Sequence, residues 1–557
     1  MELKDKLKQG IEAAVAKALA DGALPEGTYP EVVLEVPPQK EFGDFSTNIA
    51  MQSARVARMN PAAIADIIIA NMDYDWLEKA EKAGAGFINF FVKTDAVYDT
   101  LKSVLEQGVC YGAQATRDED TIQVEYVSAN PTGPLHVGHG RGAAYGSALV
   151  NLLRAAGYKV ESEYYINDAG NQIDNLAKSI DARYMELLDM KSEFPENGYH
   201  GQDIIDTAQS IINWGGDFFA VLSEEERLPF FKEFGLTEKL NALRVSLRNF
   251  NVDFDHWFSE RSLHRSGEVT KAIQFLKDTG DVYEKDGALW FASTRYGDDK
   301  DRVVIRENGE PTYLASDIAY HRNKFERGFK KMINIWGADH HGYVTRVKAS
   351  MQALGYNPDR LEILLLQMVA LYRDGELVKM SKRTGQSVTL DELIEEVGVD
   401  AARYFFLMRS LDSQLDFDIN LAASKSNDNP VYYIQYAHAR IHSIFNQVNE
   451  AGIKYGDWAG VKFDTLTSEL ELDIIKKLGA YPEEIREAAE HRAPHRIARY
   501  LYELAGMFHS FYKQGRIMGV DSDLQQARLG LITAIADVLR NGLGILGISA
   551  PEKCKIF

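Results

Sequence analysis

The sequence predicts a multidomain α/β protein with an α+β domain at the N-terminus, a parallel-sheet domain in the middle and an all-α helical bundle at the C-terminus. The chain has 557 residues, which is too long for a single hydrophobic core. Beyond the first hundred or so residues, strand-like segments alternate with helical patterns, as they do in parallel sheets. The last part of the chain has helical periodicity throughout. We place the domains at residues 1–112, 113–425 and 426–557, with an insertion in the middle domain at about 190–280.

The composition predicts a globular protein of the cytoplasm. Hydrophobic residues make up 45% and charged residues 26% of the chain, and no segment predicts a leader or a membrane span. Two cysteines, Cys110 and Cys554, predict neither a disulfide framework nor a thiolate metal site. The net charge of −20 argues against nucleic-acid binding over the whole surface. It still allows one basic face whose binding is sensitive to salt.

The N-terminal part predicts an α+β domain without a catalytic constellation. Residues 31–36 and 88–92 predict strands. Apolar residues recur at helical spacing near the N-terminus, at Leu3, Leu7, Ile11, Val15 and Ala18. From these residues alone, a packing module is the preferred interpretation.

A strand, a polar loop and a helix follow one another at residues 121–127, 128–140 and 141–156. The N-terminus of a helix binds anions through its free N–H groups and its dipole. His136 and His139 stand three residues apart on one face, where each imidazole can donate a hydrogen bond to a phosphate oxygen. A lone His-x-x-His is more often structural, and a zinc site would need further ligands, which are not close by.

A second, basic stretch lies far downstream at residues 378–385 and contains Lys379 and Lys382. On its own it would usually be a solvated loop. It follows the apolar run 361–369, so we expect it just beyond the carboxyl end of a buried strand, where open α/β sheets bind ligands. The two stretches together predict a phosphate-binding site at the rim of one sheet.

Two more places in the middle domain have ligand-binding patterns. The predicted strand 331–336 ends at Gly337 and Asp339, and an Asp in this position commonly binds the hydroxyl pair of a ribose. Tyr313 and Asp317 are four residues apart on a predicted helix, where an aromatic ring and a carboxylate can hold a guanidinium. An ordinary pair on a helix surface is the alternative, and these two residues alone favour it.

Residues 288–291 and 302–305 predict strands that continue the central sheet, and residues 412–429 predict a polar connector. The C-terminal helices carry aromatic and basic residues that can stack on unpaired bases and follow phosphates. The alternative is an amphipathic bundle with its aromatic residues in the core. The residues concerned are Tyr432, Tyr433, Tyr436, His438, Arg440 and His442, and then His491, Arg492, His495, Arg496, Arg499, Tyr500, Tyr502, Phe508, Phe511, Tyr512, Lys513 and Arg516.

The sequences at 136–139 and 379–382 resemble the two signature motifs of class I aminoacyl-tRNA synthetases, and residues 128–140 resemble the arginyl-tRNA synthetase version. The resemblance extends over essentially the whole chain. It implies a Rossmann-like catalytic domain between an N-terminal domain that contacts the tRNA and a helical anticodon-binding domain. It also implies an enzyme that activates L-arginine with ATP and transfers it to the 3′ end of the tRNA for arginine. We expect Mg²⁺ with the ATP, no protein-bound zinc, no membrane association and a monomer.

The resemblance assigns roles to individual residues. The catalytic residues implied are His136, His139, Lys379 and Lys382. The ATP-binding residues implied are Pro134, His136, Gly138, His139, Gly337, Asp339, Met380 and Lys382. The arginine-binding residues implied are Glu125, Ser128, Asn130, Tyr313, Asp317 and His341.

Two alternative functions stay open on the sequence. One is another class I synthetase of different amino-acid specificity, or a small-molecule nucleotidyltransferase with the same two motifs. The pair Tyr313 and Asp317 and the long helical tail argue against it. The other is a catalytically silent RNA-binding or regulatory protein, against which the intact histidines and lysines of both motifs argue.

Overall fold

The computed structural model describes residues 3–379 and 387–553. It confirms the predicted fold class: a central parallel sheet lies between an α+β domain and a helical C-terminal region. No helix within these two ranges is both long enough and apolar enough to cross a bilayer.

The N-terminal domain is a three-stranded antiparallel sheet in the order β1-β3-β2, packed against helices. The apolar positions predicted for its first helix are largely buried. The strand predicted at residues 31–36 is wrong, because this segment forms only one bridge, from Glu35 to Ser46. Pro37 and Pro38, which lack N–H donors, prevent a longer ladder. The elements are α1 (Leu3–Ala20), β1 (Phe45–Thr47), α2 (Ile49–Ala57), α3 (Pro61–Ala70), β2 (Leu77–Ala83), β3 (Phe87–Val92) and α4 (Thr94–Gln107).

The middle domain contains eleven strands and eleven helices among the described residues. The strands are β4 (Arg117–Glu125), β5 (Tyr158–Ile166), β6 (His256–Ser259), β7 (Val282–Lys285), β8 (Ala288–Phe291), β9 (Arg302–Ile305), β10 (Lys331–Gly337), β11 (Leu361–Leu366), β12 (Val369–Arg373), β13 (Glu376–Val378) and β14 (Leu415–Asp418). The helices are α5 (Val137–Ala155), α6 (Asn171–Leu187), α7 (Gln202–Gly215), α8 (Glu224–Asn249), α9 (Glu260–Arg265), α10 (Glu268–Asp278), α11 (Tyr313–Glu326), α12 (His341–Ala353), α13 (Leu390–Val397), α14 (Val399–Leu407) and α15 (Ile419–Ala423).

The central sheet has the order β11-β10-β4-β5-β6, and every pair in it is parallel. The first strand in the chain, β4, therefore lies in the middle, and the chain moves outward from it in both directions. Ligands bind at such a switch point, outside the carboxyl ends of the strands. Here that position is the crevice beyond Glu125 of β4 and Gly337 of β10. The strand β6 lies inside the stretch predicted as an insertion, of which α7 and α8 are the long helices.

Three expectations about the other strands are wrong. The strands β8 and β9 do not continue the central sheet; they form a separate antiparallel sheet with β7. The predicted connector at 412–429 contains β14 and α15, and β14 pairs in parallel with β12. The apolar run 361–369 is likewise two elements, because β11 ends at Leu366 and the chain then enters a hairpin of β12 and β13. The basic stretch thus follows that hairpin rather than the sheet strand.

The C-terminal region is helical, as predicted. Its core is continuous with that of α5 and the central sheet, and α4 of the first domain packs against α17 and α20. Buried Arg403 and Asp400 both bind the segment that follows the last helix, through the Leu546 carbonyl and Ser549. The helices are α16 (Pro430–Glu450), α17 (Glu469–Gly479), α18 (Tyr481–Glu490), α19 (Pro494–Gln514) and α20 (Ser522–Ile545).

Candidate active site

A sharp turn follows β4 and shapes the floor of the crevice. Val127 and Ser128 have φ angles of 67° and 41°, in the left-handed region that residues with a side chain rarely adopt. The turn brings the Ser128 hydroxyl back to Glu125, to which it donates a hydrogen bond of 3.0 Å, and the same oxygen accepts the Tyr165 N–H at 3.1 Å. Local strain of this kind is typical of functional sites. It holds two predicted arginine-binding residues, Glu125 and Ser128, side by side.

The two imidazoles of the first motif cap helix α5 as a pair. His136 is the N-cap residue, and its Nδ1 accepts the Gly138 N–H at 3.1 Å. The Nδ1 of His139 accepts the His136 N–H at 3.2 Å, and the two rings stack with centroids 3.7 Å apart. Because both Nδ1 atoms accept, each neutral ring has its proton on Nε2. Burial lowers the pKa of His139 to about 4 and also lowers that of His136. At neutral pH both rings are therefore uncharged donors.

The residues that follow the second motif lie against the first. Leu390 N–H donates to the Leu135 carbonyl at 2.8 Å, and Val137 N–H donates to the Val388 carbonyl at 3.3 Å. Thr389 between them forms a β-bridge with His136. On the other side of the motif, the exposed Lys379 comes directly after β13. Met380 and Lys382, for which the sequence predicts ATP contacts, lie outside the described residues.

Three carboxyl groups come together on the other side of β4. Glu125 ends β4, Glu260 begins α9 and Asp317 lies one turn into α11. Burial, helped by the charges of Glu125 and Glu260, raises the pKa of Asp317 to about 7 against the opposing effects of a hydrogen bond from the Tyr343 hydroxyl and of the Lys324 charge. Burial also raises the pKa of Glu260, which is 4% exposed. A bound cation would favour the ionised forms of these carboxyl groups, so the pocket suits a cation.

A buried network fixes the position of Glu125. Lys324 is fully buried, pairs with Glu125 and donates a hydrogen bond of 2.8 Å to Asn334. The Asn334 amide in turn donates to His321, whose other ring nitrogen bonds the Asp317 carbonyl at 2.8 Å. The network thus joins β4, β10 and α11, the three elements around the pocket.

The other predicted site residues lie around the same crevice. The amide oxygen of Asn130 accepts a hydrogen bond of 2.9 Å from Asn167 at its rim. Tyr313 is 52% exposed, one turn before Asp317. Asp339 is exposed after β10, and it folds back so closely that a side chain on Gly337 would meet it. His341 is exposed at the start of α12, two residues before the tyrosine that binds Asp317.

Two cavities flank the predicted residues. One of about 370 Å³ is lined by Asn130, Pro134 and His139 from the first motif, and by Tyr199 and His200 near the start of α7. The other, of about 590 Å³, lies beside Asp339 and Tyr343. Glu260 was not predicted as a site residue, because β6 was not recognised as a sheet strand. An acidic residue directly after a strand's carboxyl end is the signal that would have identified it.

The bundle presents an aromatic surface on α16 and α19. Tyr432 and Tyr436 stack with their centroids 5.9 Å apart. The Arg440 guanidinium lies 4.4 Å from the Tyr436 ring centre and 4.6 Å from that of Tyr512, which is 42% exposed. The predicted basic residues differ in their partners: Arg496 forms ion pairs with two glutamates, Glu484 and Glu487. Tyr500, Phe508 and Phe511 are buried in the core, as the alternative interpretation expected for part of the set.

Family models match three successive parts of the chain. The model described as the arginyl tRNA synthetase N terminal domain matches residues 5–92. The one described as tRNA synthetases class I (R), catalytic domain, matches residues 100–406. The DALR anticodon binding domain matches residues 434–554.

Similar proteins extend over the whole chain. A Carboxydothermus hydrogenoformans protein named arginine–tRNA ligase is 56% identical over 93% of this chain and 94% of its own length. A protein of Halalkalibacterium halodurans named arginine–tRNA ligase 1 is 51% identical over 99% of both chains. In fold, the chain is similar to Thermus thermophilus arginyl-tRNA synthetase, with a TM-score of 0.76 and 23% identity over 99% of this chain and 100% of that one. The chain therefore belongs to the arginyl-tRNA synthetase family of class I aminoacyl-tRNA synthetases.

Proposed function

We infer that this chain is an arginine–tRNA ligase and propose which residues carry each step of its reaction. The enzyme activates L-arginine with ATP to give arginyl-adenylate and pyrophosphate, and then transfers the arginine to the 3′ end of its tRNA. The observation that best supports arginine as the substrate is the acidic pocket. Lys324 pairs with Glu125, and His264 lies 3.6 Å from Glu260, whereas no cation in the described part of the chain forms an ion pair with Asp317.

Arginine is the amino acid whose charges complement this pocket. It carries two cations, the guanidinium and the α-ammonium. We propose that Asp317 binds the guanidinium, with Tyr313 stacked on it, and that Glu260 provides a second carboxylate. Glu125, Ser128 and Asn130 would hold the α-ammonium and the carboxylate of the substrate. We also propose that His341, at the start of α12, contacts the bound arginine.

The first step is the reaction of the bound arginine with the bound ATP. A carboxylate oxygen of arginine attacks the α-phosphorus of ATP, and the bond from that phosphorus to the bridging oxygen breaks as pyrophosphate leaves. We propose that the Nε2–H groups of His136 and His139 donate to the phosphate oxygens as charge grows there. Lys379 and Lys382 would neutralise the departing pyrophosphate.

The nucleotide itself is proposed to lie along the carboxyl ends of β4 and β10. Gly138 would let the adenine approach the backbone, with Pro134 and Met380 beside it. Gly337 and Asp339 would bind the ribose, because an acidic side chain after a sheet strand suits a hydroxyl pair. We propose that ATP enters with Mg²⁺, which usually keeps most of its water and binds the phosphates.

In the second step a terminal ribose hydroxyl of the tRNA attacks the acyl carbon, and AMP leaves. We propose that the aromatic surface of α16 and α19 binds the anticodon and that the N-terminal domain contacts the tRNA elsewhere. We also propose that the three domains meet at residues 112 and 425. We further propose a monomer in the cytoplasm; the exposed free thiol of Cys110 suits a reducing compartment.

Charging of a tRNA mixture with each of the twenty amino acids tests this function. We expect ATP-dependent esterification of arginine alone. Asp317→Asn is expected to lose most of the arginine charging, because it removes the carboxylate that pairs with the guanidinium. Efficient charging with another amino acid would mean that the pocket has been assigned to the wrong substrate.

A further inference from the structure

Arg141 is a buried cation on the helix that carries the two catalytic imidazoles. It lies two residues after His139 and is 1% exposed. Its guanidinium donates to three main-chain carbonyls, to that of Gln367 at 2.7 Å, of Ser410 at 2.9 Å and of Ser413 at 3.0 Å. Burial lowers the pKa of Arg141 to about 10, so the group is still charged at neutral pH.

The three carbonyls lie just before the first residues of β12 and β14, which belong to the three-stranded sheet β13-β12-β14. Gln367 is in the short link between β11 and β12, and Ser410 and Ser413 form the turn that leads into β14. The strands β12 and β14 pair in parallel, starting from Val369 and Leu415. One guanidinium therefore holds the beginnings of both strands against α5. From β12 the chain turns through the hairpin into β13, which ends directly before the second motif.

The same end of α5 also holds the segment on the other side of that motif. The backbone around Leu135 and Val137 pairs with Val388 and Leu390, as described above. The hydrogen bonds of that contact join main-chain atoms, and the buried Leu390 side chain packs against α5 at Gly140. On the β12 side, the side-chain hydrogen bonds from α5 come from Arg141, next to the apolar packing of Leu371 in the core shared with α5. Among the described side chains of α5, Arg141 is the one that donates hydrogen bonds to the segments directly before β12 and β14, and β12 leads through β13 to Lys379.

We propose that Arg141 is a positioning residue that sets the distance between the imidazoles of α5 and Lys379, which directly follows β13. The proposal rests on the proposed function, in which both groups act on the same triphosphate. Charge stabilisation by two groups requires that both stand in register with the reacting phosphate. A planar fork can bridge three separate carbonyls, whereas the ammonium of lysine is a point charge and holds them less rigidly.

Arg403 provides a matched control. It is also fully buried, and it donates three hydrogen bonds, to the carbonyls of Leu546 and Phe250 and to the Ser147 hydroxyl. Burial lowers its pKa to about 10 as well. Its acceptors lie at the end of the bundle, after α8 and midway along α5, away from both motifs. A lysine at either position therefore replaces a buried guanidinium that donates three hydrogen bonds.

The test compares Arg141→Lys with Arg403→Lys in arginine-dependent pyrophosphate exchange, with tRNA present, and in thermal unfolding. We expect similar losses of thermal midpoint in the two variants, but a fall in kcat of about 100-fold only in Arg141→Lys, since a 1 Å misplacement can cost this much. The KM for arginine should stay within about threefold of the wild-type value, because the acidic pocket does not contact Arg141. Arg141→Gln serves as a second variant if the lysine protein does not fold.

A double-mutant cycle with Lys379→Ala makes the test specific for positioning. If Arg141 acts through the placement of Lys379, this substitution should lower kcat much less in the Arg141→Lys background than in the wild type. Equal losses in both backgrounds, or equal kcat values for Arg141→Lys and Arg403→Lys, would overturn the proposal. A wild-type enzyme that does not activate arginine would instead overturn the proposed function.

Discussion

At the scale of single residues, the site depends on groups whose charge the fold has changed. Two histidines are neutral because burial lowers the pKa of each, and their Nδ1 atoms accept hydrogen bonds at the start of a helix, which leaves each Nε2–H free to donate. One aspartic acid, Asp317, is held close to its point of half-ionisation by burial and by its acidic neighbours. None of these states is visible in a residue type, so they could not be predicted from the sequence.

The first prediction concerns Asp317. In the protein without arginine, a pKa of about 7 means that the carboxyl is largely neutral below pH 7 and cannot pair with a guanidinium. Arginine affinity is therefore present above pH 7 and is lost as the pH falls below the pKa of Asp317. The charged and hydroxyl groups that face this carboxyl and contribute to its pKa are Glu125, Glu260, Lys324 and Tyr343. We expect the KM for arginine to rise about tenfold per pH unit below this point, as for one proton. In Asp317→Asn this pH dependence should be absent; if the mutant retains it, another group is responsible.

A second prediction concerns His139. Its imidazole donates through Nε2, so His139→Ala is expected to lower kcat for pyrophosphate exchange by about 10²–10³-fold, as for the loss of other transition-state donors. The KM for arginine should change little, because the ring is not part of the acidic pocket. A mutant with wild-type kcat would show that the ring has no role in the chemistry.

At the scale of elements, the unit of β4, turn and α5 was the most predictable part of the chain. Its β-branched strand, polar loop and helical periodicity agree with one another over more than thirty residues. The hairpin β12–β13 and the strand β14 were missed because short, half-buried strands carry little periodicity. The strands β8 and β9 were recognised, but their partner β7 was not, and sheet membership depends on distant pairing that local patterns do not encode. Glu260 was missed with β6 for the same reason.

A prediction at this scale uses two glycines of α5. A Cβ at Gly146 would lie 2.2 Å from the Tyr126 ring, whereas one at Gly142 would lie 3.5 Å from Leu366, an ordinary contact. We expect Gly146→Ala to destabilise the catalytic domain by about 1–3 kcal/mol through overpacking. Gly142→Ala should instead be neutral or stabilising by about 0.5–1 kcal/mol, because alanine favours the helix. Thermal inactivation midpoints compare the two, and equal shifts would mean that α5 does not pack on Tyr126 this closely.

At the scale of the whole molecule, the N-terminal domain and the C-terminal bundle are joined by charge as well as by apolar packing. Lys40 of the N-terminal domain pairs with Asp473 of α17 at 2.5 Å, and Lys476 of the same helix pairs with Asp44 at 2.5 Å. The chain as a whole carries a charge of −20, so its tRNA-binding surface must be local. The order of domains was predictable from periodicity, but the docking of α4 on the bundle was not, because it joins residues that are hundreds of positions apart.

The prediction for the whole molecule concerns the bundle surface. Arg440 lies between two tyrosine rings, and Arg440→Ala is expected to raise the KM for tRNA by about 10-fold or more, since a lost stacking contact costs about 1–3 kcal/mol. The control is Arg496→Ala, whose guanidinium is held by two glutamates and should leave the KM for tRNA unchanged. Equal effects of the two variants in aminoacylation assays would place the RNA surface elsewhere.

The most direct measurement is a crystal structure with arginine and a non-hydrolysable ATP analogue. We expect the guanidinium at Asp317, the α-phosphate within hydrogen-bond distance of the Nε2 atoms of His136 and His139, and the terminal phosphates within reach of Lys379. A triphosphate that contacts the imidazoles but lies far from Lys379, or an arginine bound outside the pocket of Glu125, Glu260 and Asp317, would contradict the account.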